Sequence, residues 1–197
     1  MIKTLKHYGT EYGGWFIAPD LLPANGTVID AGVGTDTSFC ERVRDEFPGL
    51  RFIGVDHMAE AAEYAARRGC YDRFINAALV GDERLYVEMF RNAKGGSESF
   101  LADHNFVGKE SYRVPAVRLA QLVSFHKPCV VKLDVEGAEY SCYRDAFGAQ
   151  QVCLEAHHRM LHSHTEQDTD RMIADFTAHG YEVAHRTERD EFLLVLR

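Results

Sequence analysis

The sequence predicts an α/β fold: an open, mostly parallel sheet of seven strands, helices on both faces, and an antiparallel hairpin at the C-terminal end. Three observations carry this. Strand-like and helix-like segments alternate over most of the 197 residues, the pattern of a wound sheet and not of a sandwich or a bundle. The stretches Thr27–Asp30, Arg51–Asp56 and Cys129–Asp134 are largely apolar, as strands covered on both faces must be. Two strand ends run directly into glycines and carboxylates, Val28-Ile29-Asp30-Ala31-Gly32-Val33-Gly34 and Lys132-Leu133-Asp134-Val135-Glu136-Gly137-Ala138-Glu139. These are residue types that open α/β sheets gather at their carboxyl edge to bind ligands.

Residues 1–22 are expected to form an N-terminal flank or lid, because Tyr8-Gly9-Thr10-Glu11-Tyr12-Gly13-Gly14-Trp15 is too rich in glycine for a helix and Pro19-Asp20-Leu21-Leu22-Pro23 follows it. Residues 23–197 read as one domain. Thr27–Asp30 is the first strand. Thr37–Phe47 is helical, with Phe39, Cys40, Val43 and Phe47 on one face and Pro48-Gly49 as its stop. Arg51–Asp56 is the second strand, Glu60–Arg68 a short helix ended by Gly69, and Phe74–Val80 the third strand, which together make a mononucleotide-binding half.

From Arg84 the pattern changes to an antiparallel excursion over about 84–101, with strand-like pieces Arg84–Arg91 and Glu98–Leu101 joined through Gly95-Gly96. Ala116–Phe125 is then helical, Cys129–Asp134 is the fourth strand, Glu139–Phe147 a helix ending at Gly148, and Gln151–Glu155 the fifth strand. Thr169–His179 puts Met172, Ile173 and Phe176 on one helix face, ended by Gly180. Two strands, Tyr181–Arg186 and Glu191–Leu196, close the chain around the loop Thr187-Glu188-Arg189-Asp190.

Composition narrows the function classes. The formal charge is −8, from 22 Lys+Arg against 30 Asp+Glu, so no basic surface favours nucleic acid or acidic lipid. Cys40, Cys70, Cys129, Cys142 and Cys153 are odd in number and scattered, which argues against a disulfide framework and for a reducing compartment. No apolar stretch follows Met1 and none reaches membrane-spanning length, so a soluble, cytoplasmic protein is expected.

The loop Asp30-Ala31-Gly32-Val33-Gly34 lets the backbone turn tightly at a strand end and approach a ligand closely. The G-x-G-x-x-G pattern is incomplete, with Thr37 at the third glycine, and Asp36 puts negative charge where a dinucleotide site holds pyrophosphate. A cofactor without phosphates, such as S-adenosylmethionine, suits it better; an ordinary strand-to-helix turn is the plainer alternative. Asp56 ends the second strand, where an acid accepts both hydroxyls of an adenosine ribose, or caps the next helix. The small residues of Asn76-Ala77-Ala78-Leu79 leave space for an adenine ring.

Asp134 and Glu136 crowd like charges at a strand end, which requires a cation, a hydroxyl, a metal or an arginine to meet them. Glu139 fits the first turn of the following helix, where negative charge is favourable. His157, in Leu154-Glu155-Ala156-His157-His158-Arg159 after the fifth strand, faces the same edge and is a candidate general base toward a hydroxyl. His157, His158, His162 and His164 match no familiar ligand spacing, so no metal site is expected. Trp15, the single tryptophan, covers a ligand or packs in the core.

Seven strands closed by a helix and a hairpin is how the class I methyltransferase fold ends. Val131-Lys132-Leu133-Asp134-Val135-Glu136-Gly137-Ala138-Glu139 resembles the hallmark of the FkbM-type methyltransferases, S-adenosylmethionine-dependent enzymes that mostly methylate hydroxyl oxygens of natural products and sugars. Val28–Gly34 is similar to that family's cofactor loop, Val55-Asp56 to its ribose-binding acid, Asn76-Ala77-Ala78-Leu79 to its third strand, and Glu11–Trp15 to an N-terminal segment of some members. Gly34-Thr35-Asp36 departs from it, since many members carry Asn and a further Gly there.

The resemblance implies a cofactor-binding set of Gly14, Asp30, Ala31, Gly32, Val33, Gly34, Asp56, His57, Asn76, Ala77 and Asp134. It implies that Asp56 holds the ribose, that Asp134 orients the methionine end or the acceptor, and that Glu136 or His157 is the base. The expected partner is a small hydroxylated substrate, with neither nucleic acid nor membrane, and a homodimer is left open. No Asn/Asp-Pro-Pro-aromatic tetrapeptide follows the fourth strand, which disfavours nucleobase amines. A nicotinamide-dependent oxidoreductase and a catalytically silent cofactor-binding module are the competing expectations.

Overall fold

The computed structural model describes residues 2–92, 98–105 and 107–197. The N-terminal flank folds as an antiparallel hairpin of β1 (Lys6–Tyr8) and β2 (Trp15–Ile17). There follow β3 (Gly26–Ala31), α1 (Ser38–Glu46), β4 (Leu50–Asp56), α2 (Ala59–Arg68) and β5 (Arg73–Asn76). Next come β6 (Ala78–Val80), β7 (Tyr86–Asn92), β8 (Val107–Arg118), α3 (Leu119–His126), β9 (Val130–Leu133), α4 (Glu139–Cys142) and β10 (Gln151–Glu155). The chain ends with α5 (Glu166–Ala178), β11 (Tyr181–Arg186) and β12 (Glu191–Leu196).

Among the described residues the main sheet has seven strands in the order β11-β12-β10-β9-β3-β4-β5. The five from β10 to β5 are parallel, and β12 joins them antiparallel between β10 and β11, as expected of the closing hairpin. The chain winds outward from β3 to β5, then crosses back to place β9 on the other side of β3. That reversal opens a crevice at the carboxyl ends of β3 and β9, where wound sheets bind ligands.

Alternation along the central strands divides the core into two layers. Ile29, Val131, Leu133, Val152 and Leu154 face α3 and α5, meeting Leu119, Met172 and Phe176. Val28, Val130 and Cys153 face α1 and the N-terminal hairpin, meeting Phe39, Val43, Trp15 and Ile17. Trp15 therefore belongs to the core. Helix ends follow local chemistry: Gly69 closes α2 in the left-handed region, and Thr165 with Asp168 forms a capping box at the start of α5.

Several expected boundaries are corrected. The stretch expected as one strand at Phe74–Val80 breaks at Ala77: β5 stays in the main sheet, while β6 pairs with β8 in a second sheet of order β6-β8-β7. Backbone pairing overrides the continuous apolar run there, because the Ala77 N–H donates to the Asp56 carbonyl and ends the ladder. In the excursion, β7 pairs antiparallel with the long β8, whereas Glu98–Leu101 contributes only a bridge from Ser99 to Phe90. The expected turn at Gly95-Gly96 lies outside the described residues. The helix expected from Ala116 starts at Leu119, since Ala116–Arg118 still pair with β6. The one expected from Glu139 to Phe147 is a single α-turn followed by a 3-10 turn, Tyr143–Ala146. No helix among the described residues is long and apolar enough to cross a membrane.

Candidate active site

The two strand ends singled out in the sequence flank the crevice. After β3, Gly32 takes φ +81° and Gly34 φ +57°, left-handed values that glycine adopts without steric cost. Gly32 has a second constraint, because a Cβ there would lie 1.6 Å from the Asp134 carbonyl oxygen. The loop after β3 and the loop after β9 thus touch backbone to backbone. Gly34, in contrast, opens onto space, with no atom within 4 Å of an added Cβ.

Beneath this contact lies a buried ion pair. Strand register sets Asp30 beside Lys132, and Lys132 Nζ stands 3.1 Å from Asp30 Oδ1 and 3.6 Å from Asp134 Oδ2. It also donates to the Gly32 carbonyl at 2.7 Å and lies 5.6 Å from the centre of the Trp15 ring. Burial opposes the charged amine, but Asp30 and then Asp134 outweigh it and hold Lys132 protonated well above its usual range. Tyr71 O–H donates to Asp30 Oδ2 at 2.6 Å, so the Asp30 carboxylate, expected on the cofactor, is engaged inside the sheet. Lys132 is a site residue that the sequence reading misses. Its signal was present, since a lysine within the apolar run of β9 has to meet a counter-ion.

Asp56 ends β4 and accepts two backbone N–H groups, Gly34 at 2.8 Å and Met58 at 2.8 Å. It thereby ties the β3 loop to the start of α2. Asn76 donates to the Asp56 and Met58 carbonyls at 3.0 and 3.1 Å, which gives its side chain a backbone-bracing role. Ala77 sits beside it at the break between β5 and β6. His57 Nε2 lies 3.1 Å from Glu98, which Tyr112 also contacts, so His57 faces the excursion. Ala31 is fully buried, Val33 nearly so. Gly14 closes the β1–β2 turn, its N–H donating to Thr10, and the same turn is clasped to the β3 loop by Thr10 Oγ1 donating to Asp36 at 2.5 Å.

Carboxylates converge on the other side of the crevice. Glu139, at the start of α4, is fully buried and accepts the Gly137 N–H on one oxygen at 2.9 Å. Its other oxygen accepts the His157 backbone N–H at 2.9 Å and faces His157 Nδ1 at 3.1 Å. The imidazole is thereby aimed across the pocket, and its Nε2 stands 3.7 Å from Asp134, 3.6 Å from Glu136 and 3.8 Å from Glu155. Glu136 occupies the left-handed region at φ +51° and is held by His104 Nε2 at 3.1 Å, while Ser99 donates to its carbonyl at 2.6 Å.

Burial opposes the charged imidazole, yet Glu139, Glu155 and Glu136 outweigh it and push His157 up to about 10. Burial raises Asp134 above the usual carboxylate range, and burial together with the Asp134 charge pushes Glu155 up to about 8. Glu139 engages the Nδ1 side of the ring, and Nε2 faces the other carboxylates from beyond hydrogen-bond reach. The structure sets both expected bases, Glu136 and His157, at this edge and adds Glu155, which the sequence reading does not single out. The other histidines do not join: His158 faces Thr169 at 2.9 Å and His164 faces Ser163 at 2.8 Å.

Comparison with known proteins fits this geometry. The family model of the methyltransferase FkbM domain matches residues 25–183, which span both strand-end loops and the acid pocket. A chain of the solved fibrillarin/Nop5p complex superposes with a TM-score of 0.50 at 10% identity, covering 89% of this chain and 74% of its own. That likeness shows the fold, the class I methyltransferase fold. No curated protein matches the chain.

Proposed function

The chain belongs to the FkbM methyltransferase family, and from that premise we propose that it is an S-adenosylmethionine-dependent O-methyltransferase acting on a hydroxyl of a small molecule or sugar. The observation that carries this is the pairing, across the topological switch, of a glycine cradle with a pocket of carboxylates. The residues present fit such a cofactor. Gly34 leaves open space where a side chain would stand, and the nearby acceptors are the anionic Asp36, Asp56 and Asp134, which suit a cationic sulfonium and not a pyrophosphate. When bound, the cofactor supplies an electrophilic methyl group.

The chain's own residues do the rest. Gly32 and Gly34 shape the cradle, Asp56 offers carboxylate oxygens to the ribose, and Lys132 holds the two loops together from below. Asp134 faces the space between cradle and pocket. His157 is held by Glu139 at Nδ1 and turns Nε2 toward the remaining carboxylates, which fixes the pocket for an incoming hydroxyl. The proton of that hydroxyl passes to a carboxylate, Glu136 or Glu155. General-base assistance of this kind contributes about 10²–10⁴-fold in rate.

Titration calorimetry tests the reading. S-adenosylhomocysteine should bind, and Asp56→Ala should weaken it tenfold or more, about 1.4 kcal/mol. Binding of a nicotinamide dinucleotide in its place would refute methyl transfer. Binding of S-adenosylhomocysteine without transfer to any hydroxylated acceptor in a broad panel would favour the silent module.

A further inference from the structure

Asp134, Glu136 and His157 meet the geometric conditions for holding a cation. One oxygen of each carboxylate and one ring nitrogen of His157 all lie within 4.8 Å of one another. His157 Nε2 is 3.7 Å from Asp134 Oδ1 and 3.6 Å from Glu136 Oε2, too far for hydrogen bonds. Those separations are near the ~3.1 Å between neighbouring ligands of an octahedron at bond lengths of about 2.2 Å, so a small inward shift of the side chains would bring all three onto one ion.

Carboxylates gather on protein surfaces without any ion, so the acids alone decide nothing. His157 is the independent observation. Its side chain is only 2% exposed, its Nδ1 is fixed on Glu139 at 3.1 Å, and among the described residues its Nε2 has no hydrogen-bond partner. A buried imidazole held by a carboxylate at one nitrogen, with the other aimed at converging carboxylates, is how proteins present histidine to a metal. Glu139 is itself anchored by the Gly137 N–H, and Glu136 is held by His104. The donors are therefore positioned in advance. Glu155 Oε1, 3.8 Å from Nε2, adds a further carboxylate at the rim.

We propose that Asp134, Glu136 and His157 bind a divalent cation of the Mn²⁺ type. Two carboxylates and one imidazole make a mixed oxygen and nitrogen set, which suits Mn²⁺ better than the all-oxygen preference of Ca²⁺ or a thiolate-seeking ion. The ion occupies the side of Nε2 that a proton otherwise holds. Its use rests on the methyl-transfer reading: at this place it holds the acceptor oxygen and makes its proton easier to lose. Its existence does not.

The test is a Mn²⁺ titration of the metal-stripped chain followed by electron paramagnetic resonance, with S-adenosylhomocysteine binding measured in parallel. The wild type should take up a single ion per chain. Asp134→Asn and His157→Ala should abolish uptake, and Glu139→Gln, which leaves all three ligands in place, should weaken it about 10–100-fold. The proposal is overturned if the wild type binds no Mn²⁺. It is equally overturned if Asp134→Asn and Glu139→Gln, shown to be folded by circular dichroism, bind the ion as the wild type does. S-adenosylhomocysteine binding without Mn²⁺ binding removes the metal site and leaves the methyltransferase reading, and the reverse result does the opposite.

Discussion

Replacing Lys132 by methionine should be among the most damaging single changes in this protein. The Lys132 and Asp30 side chains are 5% and 3% exposed, and their charged atoms are 3.1 Å apart. While paired, two buried charges roughly offset their own desolvation; removing one strands the other, at about 3–5 kcal/mol. The lost donation to the Gly32 carbonyl adds about 1 kcal/mol. Against a total stability of about 5–15 kcal/mol, this approaches half. At roughly 2–4 °C per kcal/mol for a chain of this size, the melting temperature falls by about 8–24 °C. Because Lys132 is held charged above its ordinary pKa, its contribution is complete at neutral pH and fades only as pH rises past 10.5 toward the folded value. Urea denaturation read by Trp15 emission suits the measurement, since that ring lies over the ammonium. Asp30→Asn on the Lys132→Met background should recover about 2 kcal/mol or more. A loss below about 1 kcal/mol in Lys132→Met, or a double variant no more stable than the single one, would refute a buried pair as the brace of the site.

Three further outcomes follow from the same geometry. Gly32→Ala should cost well over 2 kcal/mol, because strain at φ +81° of about 1–2 kcal/mol is joined by the clash with the Asp134 carbonyl, whereas Gly34→Ala, with open space around it, should cost about 1–2 kcal/mol. Equal urea midpoints for the two would contradict the loop contact. Burial works to raise Asp36, but its bonds to Ser38 and Thr10 prevail and hold it below the usual 3.8. A depressed carboxylate contributes above its unfolded pKa and is lost as pH falls through the folded one. Trp15 emission should therefore shift on acidification below pH 3.8, and Asp36→Asn should show the shifted signal at neutral pH; a variant indistinguishable from wild type there would rule out the clasp. Thr165→Ala removes half of a capping box and should lower stability by about 1 kcal/mol, seen as a melting temperature reduced by roughly 2–4 °C.

Much of the fold was legible because it is written locally. Short, nearly continuous apolar runs mark β3, β4, β9 and β10, a glycine closes α2, and a loop of four residues announces the β11–β12 hairpin, all readable without knowing what lies opposite. The acids of the crevice were legible too, because carboxylates and glycine at a strand end break the local pattern. What the sequence could not state was partnership. The run Phe74–Val80 looks continuous, and only the competing ladder to β8 divides it. Glu155 looks like an ordinary strand end, and Lys132, a lysine inside an apolar run, announces the need for a counter-ion without naming it. Strand register sets Lys132 beside Asp30, and the parallel pairing of β9 with β10 brings Glu155 and His157 to Asp134. Residue types and their spacing thus determined the elements, the crevice and the family resemblance. The tertiary structure alone decided which charge meets which, because electrostatic energy depends on distance and burial, and neither exists until strands far apart in the chain lie side by side.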